Sequence, residues 1–150
     1  MTEQWLIDGY NLFHRFPGKN WVERLASFAA AKQCPVILVL DGVGNDAEFE
    51  KSKTRFFSVI YSQGSSADCA IERYLFQHPD RRSFTVVTDD RTITDISLGL
   101  GARVMKNKSF VVCLKESEES MQDILWNEKT KAHGFHRPLD QKLREKGFLD

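Results

Sequence analysis

The sequence feature that most constrains the fold is the unbroken apolar run at residues 35–40, PVILVL, which ends at Asp41. A short apolar run without alternation is typical of a strand that is buried on both faces. Such strands occur in parallel sheets that helices cover on both sides. Because a membrane-spanning helix needs about 20 apolar residues, the run predicts the core of a globular domain, and no membrane segment is expected.

Four further apolar segments predict strands, and helical patterns separate them. The predicted strands are 4–8 (QWLID), 55–62 (RFFSVIYS), 83–88 (SFTVVT) and 102–106 (ARVMK). Helices are predicted at 20–33, after the serines at 65–66, and at 92–101, where apolar residues recur three and four positions apart. The alternation predicts an α/β fold, a three-layer sandwich around a five-stranded parallel sheet.

Local signals predict how these elements begin and where the chain turns. Asn20, with Glu23 three residues later, is the predicted N-cap of the first helix, and Ser65 or Ser66 that of the second. Residues 9–19 (GYNLFHRFPGK) predict a loop, because proline followed by glycine at 17–18 marks a turn.

The C-terminal part has weaker patterns. Residues 109–115 (SFVVCLK) fit either a strand or a short buried helix, and 116–129 (ESEESMQDILWNEK) fit a helix with acids in its first turn. Residues 130–150 predict an extended or poorly ordered tail, because glycine and proline interrupt them and little periodicity remains. We therefore expect one domain at 1–115, followed by a C-terminal helix and basic tail at 116–150.

The formal net charge is zero, but it is unevenly distributed. Residues 1–115 hold 15 bases and 13 acids, 116–128 hold five acids and no base, and 129–150 hold six bases and three acids. This charge gives no support to a strongly basic nucleic-acid binder, and it allows binding through local patches. The three cysteines, without C-x-x-C spacing, predict small buried side chains in a reducing compartment. The N-terminus lacks a signal-peptide pattern, so the cytoplasm is the expected location.

Acids collect where the predicted strands end. Asp68 and Glu72 lie about 40° apart around one helix, at the border of its apolar face. The acids that follow strands, or that lie in the first two turns of this helix, are Asp8, Asp41, Asp68, Glu72, Asp89 and Asp90. Ligands bind beyond the carboxyl ends of parallel strands, and several carboxylates in one cleft are usually tolerated because a cation is present. Oxygen ligands without His or Cys favour Mg²⁺ or Mn²⁺.

Each acid also has a purely structural explanation. Asp8 with the following glycine is also typical of a turn, and Asp90 can cap the next helix. Asp41 fits a strand-to-loop exit, and Asp68 with Glu72 fits a solvated helix face. The metal interpretation depends on all of them falling at one edge of the sheet.

Five segments, in order, resemble the NYN domains of the PIN-like nuclease superfamily, in particular the YacP-like branch. They are LIDGYNLF, VILVLDG, GSSADCAIERYL, VVTDDR and LGLGARVM, within about residues 4–115. The specific parts are D-G-Y-N, S/T-A-D-x-x-I-E and T-x-D-R. The resemblance implies a five-stranded parallel sheet between helices. It also implies metal-dependent ribonuclease activity, and YacP-like proteins are associated with messenger RNA cleavage.

The resemblance also implies roles for particular residues. The metal-binding acids of the family fall on Asp8, Asp68 and Asp90, which would hold one or two Mg²⁺ or Mn²⁺ ions. Asn11 and Glu72 match further catalytic positions. Additional acidic positions to consider are Asp41, Asp89 and Asp95.

The expected function is therefore that of a metal-dependent endoribonuclease, with RNA, including ribosome-associated messenger RNA, as substrate. The residues expected to bind RNA are His14, Arg15, Lys19 and Arg91. Tyr10 and Phe13 fit either base stacking or packing under the first loop, and the basic tail fits either RNA contact or packing on its own domain. Two alternatives stay open: a non-catalytic RNA- or ribosome-binding module of the same fold, and a signalling receiver domain. The oligomeric state is left open.

Overall fold

The computed structural model describes residues 3–42 and 54–133, with side chains described as far as residue 129. The strands of these ranges are β1 Gln4–Asp8, β2 Val36–Leu40, β3 Phe57–Tyr61, β4 Phe84–Val87 and β5 Arg103–Met105. Their helices are α1 Gly9–Arg15, α2 Trp21–Lys32, α3 Ala67–Gln77, α4 Arg91–Gly99 and α5 Asn107–His133. A 3₁₀ turn at Arg81–Ser83 precedes β4.

The strands form one parallel sheet in the order β3-β2-β1-β4-β5. The predicted α/β class with a five-stranded parallel sheet is confirmed. β1 lies at the centre, where Asp8 pairs with Val39 of β2 and Ile7 pairs with Val87 of β4. Receiver-type folds have the order 2-1-3-4-5, so the strand order excludes the receiver alternative.

The sheet is covered on both faces, as the apolar run of β2 predicts. Val36, Leu38 and Leu40 face a core cluster that includes side chains of α1, α2 and α5. Ile37 and Val39 face the opposite cluster, which includes side chains of α3 and α4. All five residues of β2 are buried, so this strand separates two cores of a three-layer sandwich.

The prediction of a loop at residues 9–19 is wrong for Gly9–Arg15, which form α1. The helix begins at Gly9, where a Cβ atom would lie 2.6 Å from Leu40 Cδ2 and 2.9 Å from the Val39 carbonyl oxygen. Glycine therefore lets α1 pack directly against β2. Phe16, before Pro17, has left the helical region of φ and ψ, as residues that precede proline tend to do. The predicted turn thus lies just beyond the end of α1.

Two predicted helix caps are also wrong in detail. Asn20 precedes α2 with a left-handed backbone (φ 64°), and its side chain makes no capping hydrogen bond. Ser66 precedes α3, again without a side-chain cap. Ser65 Oγ donates instead to the Ser62 carbonyl oxygen (2.7 Å).

The C-terminal segment 109–115 is helical, which decides between the two alternatives for it. It belongs to α5, whose Phe110 and Leu114 are fully buried in the first core. The chain divides between Leu114 and Lys115 into two compact units. The expected tail begins inside α5, and its residues 134–150 lie outside the described ranges.

The cysteines depart from the expectation of burial. All three are free thiols, but Cys69 is exposed and Cys34 and Cys113 are only partly buried. Across the described residues, no helix combines the length and the apolar character needed to cross a membrane.

Candidate active site

A cleft opens where β1 and β4 lie side by side and their following segments diverge. The chain continues from β1 into α1 on one face of the sheet, and from β4 into α4 on the other. Such a switch point is where open parallel sheets bind ligands. The cleft has a volume of about 530 Å³, in the range of small-ligand pockets, ~300–1,000 Å³. Its lining consists of Asp8, Tyr10, Asn11, His14, Asp41, Ser66, Ala67, Asp68, Asp90, Thr92 and Ile93.

Asp8 lies deepest among the four carboxylates of the cleft. It is only 5% exposed, and its Oδ2 accepts a hydrogen bond from Thr88 Oγ1 at 3.0 Å. Burial raises the pKa of Asp8 from 3.8 to about 6, and the charges of Asp90 and Asp41 also act to raise it. The hydroxyl of Thr88 and the backbone N–H of Asn11 act in the opposite direction. The carboxyl group of Asp8 is therefore held at a poorly hydrated position beside other acids.

Asp90 both caps α4 and lines the cleft, so the two interpretations of this residue hold together. Its Oδ1 accepts from the Ile93 backbone N–H (3.0 Å), which caps α4. Its own N–H donates to Thr88 Oγ1 (3.0 Å). Thr88 thus joins Asp8 and Asp90 through one hydroxyl group. Among the described residues, the second carboxylate oxygen of Asp90 has no hydrogen-bond partner, and Asp90 lines the cleft.

Asp41 and Asp68 complete the acidic lining from the other side. Asp41 follows β2 and is exposed, and Asp68 lies half-buried in the first turn of α3. The backbone next to Asp41 is held in place, because the Gly42 N–H donates to Ser62 Oγ at 2.9 Å. The acids of four different elements therefore line one cleft.

Asn11 belongs to a second hydrogen-bonded group, which lies beside the cleft. Its Oδ1 accepts from the Asp89 backbone N–H (2.9 Å) and from Asn107 Nδ2 (2.8 Å). Asp89 Oδ1 in turn accepts from the Asn107 backbone N–H (3.0 Å), and Asp89 Oδ2 lies 3.8 Å from Arg15 Nε. Asp89 thus holds the start of α5 and is not part of the cleft lining.

Several residues predicted for the site are not among those that line the cleft. Glu72 is exposed on α3, one turn beyond Asp68, and Asp95 is exposed on α4. Of the basic residues, His14 lines the cleft, whereas Arg15 pairs with Asp89. Lys19 and Arg91 are exposed outside the lining.

The two aromatic residues of α1 differ in their surroundings. Phe13 stacks on Trp21, with ring centroids 5.7 Å apart, and packs against the first core. Tyr10 is 51% exposed and lines the cleft. The packing interpretation therefore holds for Phe13, and Tyr10 is the aromatic side chain that a ligand can reach.

The carboxylates share the cleft without forming a closed coordination shell. Throughout the described ranges, no three His, Cys, Asp or Glu side chains lie close enough together to hold one ion as they stand. The donor set itself fits a hard divalent cation, because carboxylate oxygens are the ligands that Mg²⁺ and Mn²⁺ prefer. Asp41 and Asp90 are exposed and Asp68 is half-buried, whereas hydrogen bonds hold Asp8 and Asp90 in place.

Comparison with known proteins agrees with this architecture. The family model of the YacP-like NYN domain matches residues 5–147. The chain belongs to the YacP-like NYN domain family. The matched region continues beyond residue 115, where the sequence resemblance ends. NYN domains form part of a nuclease superfamily.

Solved structures show the same fold. A crystal structure of Rae1 (YacP) from Bacillus subtilis is 18% identical, with a TM-score of 0.70 over 97% of this chain and 92% of that one. A single-substitution variant of Rae1 has a TM-score of 0.71 at 18% identity, over 88% and 87%. At this identity the likeness concerns the fold alone. Comparison with curated proteins finds no match.

Thr88 and Asn107 are not among the residues that the sequence predicts for the site. Thr88 could have been predicted, because a hydroxyl group at a strand end beside two acids is well placed to form hydrogen bonds with them. Asn107 could not have been predicted, because its hydrogen bond to Asn11 joins positions 96 residues apart.

Proposed function

We propose that the cleft is the active site of a metal-dependent endoribonuclease that hydrolyses RNA phosphodiester bonds. The supporting observation is that Asp8, Asp41, Asp68 and Asp90, from four elements, line one cleft at the switch point of the sheet. Burial is the main cause of the raised pKa of Asp8, and the charges of Asp90 and Asp41 also act to raise it. Membership of a nuclease superfamily supports the same reaction class.

The residues that would hold Mg²⁺ or Mn²⁺ are Asp8, Asp68 and Asp90, with Asp41 within the same lining. A hard divalent ion bound there would lower the pKa of a water molecule and neutralise charge on the phosphate. The chain supplies the rigid part of this arrangement, since Thr88 holds Asp8 and the N-terminus of α4 holds Asp90. Attack by water on phosphorus, with proton transfer to the departing 3′ oxygen, yields a 5′-phosphate and a 3′-hydroxyl.

The substrate contacts that we propose lie on α1 and around it. His14 lines the cleft and can donate to a phosphate, while Tyr10 presents an exposed ring for stacking on a base. Arg15, Lys19 and Arg91 lie outside the lining and would contact flanking phosphates. Glu72, exposed one turn beyond Asp68, would hold a second ion or act through water.

The narrower form of the proposal is that the substrate is messenger RNA on the ribosome, in the cytoplasm. Three free thiols are consistent with a reducing compartment. Binding to purified ribosomes, with and without excess free RNA, tests this form separately.

Cleavage of end-labelled RNAs of varied sequence and structure, with Mg²⁺, with Mn²⁺ and with EDTA, tests the function itself. We expect cleavage only with the ions, and products that carry 5′-phosphate and 3′-hydroxyl ends. RNA binding without cleavage in any ion would instead support the non-catalytic RNA-binding module. Cleavage in EDTA, or products with 2′,3′-cyclic phosphate ends, would contradict the proposed chemistry.

A further inference from the structure

The side-chain amide of Asn11 has a fixed orientation. Its Oδ1 accepts from the Asp89 backbone N–H and from Asn107 Nδ2, at 2.9 and 2.8 Å. A backbone N–H can only donate, so the oxygen and not the nitrogen of Asn11 must face Asp89. Both lone pairs of that oxygen are then occupied, and it is not available to an ion.

The nitrogen of the same amide faces a different environment. Nδ2 of Asn11 has no hydrogen-bond partner within the described part of the chain, and this nitrogen is not buried. Asn11 lines the cleft, whereas Asp89 and Asn107 do not. The free donor group of Asn11 is therefore the end of the amide that the cleft can use.

Asn107 is a costly residue at its position. It is fully buried, and its Oδ1 has no partner among the residues that the structure describes. An unpaired buried acceptor lowers stability, and an apolar side chain of similar size would avoid that loss. A polar side chain at this buried position is explained if the amide of Asn107 is needed for the hydrogen bond to Asn11.

We propose that Asn107 is a positioning residue that fixes the amide of Asn11, so that Asn11 offers its NH₂ group to a phosphate oxygen instead of its carbonyl oxygen to a metal ion. This role presupposes that the cleft hydrolyses RNA, as proposed above. A donor held in advance toward an anionic oxygen stabilises charge without reorganisation during the reaction.

The substitution Asn11→Asp distinguishes a role of Asn11 as a hydrogen-bond donor from a role as a metal ligand. A carboxylate at this position is a good ligand but no longer a donor, so we expect Mn²⁺ affinity, measured by calorimetry, to stay equal or increase. We expect kcat for RNA cleavage to fall about 10- to 100-fold, the effect of removing one hydrogen bond to a charged group. Asn11→Ala should reduce kcat by a similar factor. Wild-type cleavage by Asn11→Asp would show that Asn11 acts as a metal ligand and would overturn the proposal.

Asn107→Leu tests the positioning itself. It removes the donor to Asn11 and the unpaired acceptor at nearly constant size, so we expect Mn²⁺ affinity within about twofold of wild type and kcat lowered toward that of Asn11→Ala. Ser97→Ala is the matched control, because Ser97 is also fully buried with an unpartnered hydroxyl among the described residues, and it should leave kcat unchanged. An Asn107→Leu variant that is folded and cleaves at the wild-type rate would contradict the role.

Side-chain amide exchange with water, followed by NMR on the wild-type protein, needs neither RNA nor metal. We expect rapid exchange for the Asn11 NH₂ group, which is free, and slow exchange for that of Asn107, which is buried and bonded. The reverse order would overturn the proposal even in a protein that cleaves RNA. Absence of RNA cleavage by the wild type, with the expected exchange order, would instead contradict only the proposed function.

Discussion

At the scale of single residues, Asp8 carries the strongest conflict between stability and function. Its carboxylate is buried beside other acids, and the hydroxyl of Thr88 donates to it. Burial, with the charges of Asp90 and Asp41, brings its pKa to about 6. Without a cation, a charged Asp8 therefore weakens the fold, and an ion in the cleft would relieve that repulsion.

The pH dependence of metal-free stability follows from this shift. Because the pKa of Asp8 is about 6 when folded and 3.8 when unfolded, the folded state binds the proton more tightly. Unfolding free energy should thus decrease as pH rises from about 4 to about 6 and stay lowered above, by at most roughly 3 kcal/mol. Asp8→Asn should melt higher than wild type at pH 8 in EDTA, and the gain should vanish near pH 4. An equal rise in melting temperature at both pH values would contradict the assignment of this pH dependence to Asp8.

At the scale of elements, the position of α1 depends on one missing side chain. A Cβ on Gly9 would meet Leu38, Leu40 and the Val39 carbonyl at 2.6–2.9 Å, and the backbone oxygen cannot move aside alone. Since α1 carries Asn11 and follows Asp8, its displacement would also disturb the cleft.

Gly9→Ala should therefore lower the free energy of unfolding by about 1–3 kcal/mol, the usual effect of overpacking. Gly18→Ala is the control, because among the described residues a Cβ there meets only Trp21 Nε1, at an ordinary 3.7 Å. Urea denaturation of both variants provides the measurement. Equal stability of the two would show that α1 can move away from β2 at little cost.

The cap of α4 and the charge of Asp90 can be separated by two substitutions. Asp90→Asn keeps an N-cap acceptor for the Ile93 N–H, whereas Asp90→Ala removes it. Both remove the same charge, so Asp90→Ala should be less stable than Asp90→Asn by about 1 kcal/mol. Neither variant should cleave RNA. Equal stability would contradict the cap, and cleavage by Asp90→Asn would contradict the need for charge.

Much of the architecture follows from patterns along the chain, because burial imposes them. The run of β2 predicted burial on both faces, and the spacing of Trp21, Leu25 and Phe28 predicted α2. The edge of the sheet that holds the acids was also predictable, since parallel strands end on one side. The short helix α1 was not, because its start depends on the close approach of Gly9 to Leu40, which lies in a distant segment of the chain.

The details of the site were less accessible to sequence reasoning. Side chains alternate in direction along the segment after β4, so Thr88 and Asp90 serve the cleft while Asp89 faces α5. The sequence of residues 88–90 alone does not show which of these polar side chains faces the cleft and which faces α5. The structure decides it through partners that are far away in sequence.

At the scale of the whole molecule, the family match extends to residue 147 and so includes most of the basic tail. Residues 130–150 carry five bases and three acids, besides two histidines, which gives the tail a modest positive excess. Truncation after Lys129 should weaken RNA binding. It should also make the salt dependence of binding less steep, by ~0.7 in slope for each phosphate of single-stranded RNA that is no longer neutralised.

Filter binding at several salt concentrations measures both effects of the truncation, and thermal melts of the same proteins serve as the control. We expect the melting temperature to stay unchanged. A lower melting temperature with unchanged RNA binding would assign the tail a structural role instead.

The most direct test of the account is a comparison of Asp68→Asn with wild type for both RNA cleavage and metal-free stability. Asp68 is half-buried in the cleft, and the N-cap position of α3 belongs to Ser66, so the charge of Asp68 should serve the proposed ion and not the fold. We predict that Mg²⁺- or Mn²⁺-dependent cleavage is abolished while the melting temperature in EDTA stays equal or rises, because one of several repelling charges is removed. Glu23→Gln, on an exposed residue of α2, should retain cleavage. An Asp68→Asn variant that cleaves RNA like wild type, or that melts well below it, would contradict the central claim.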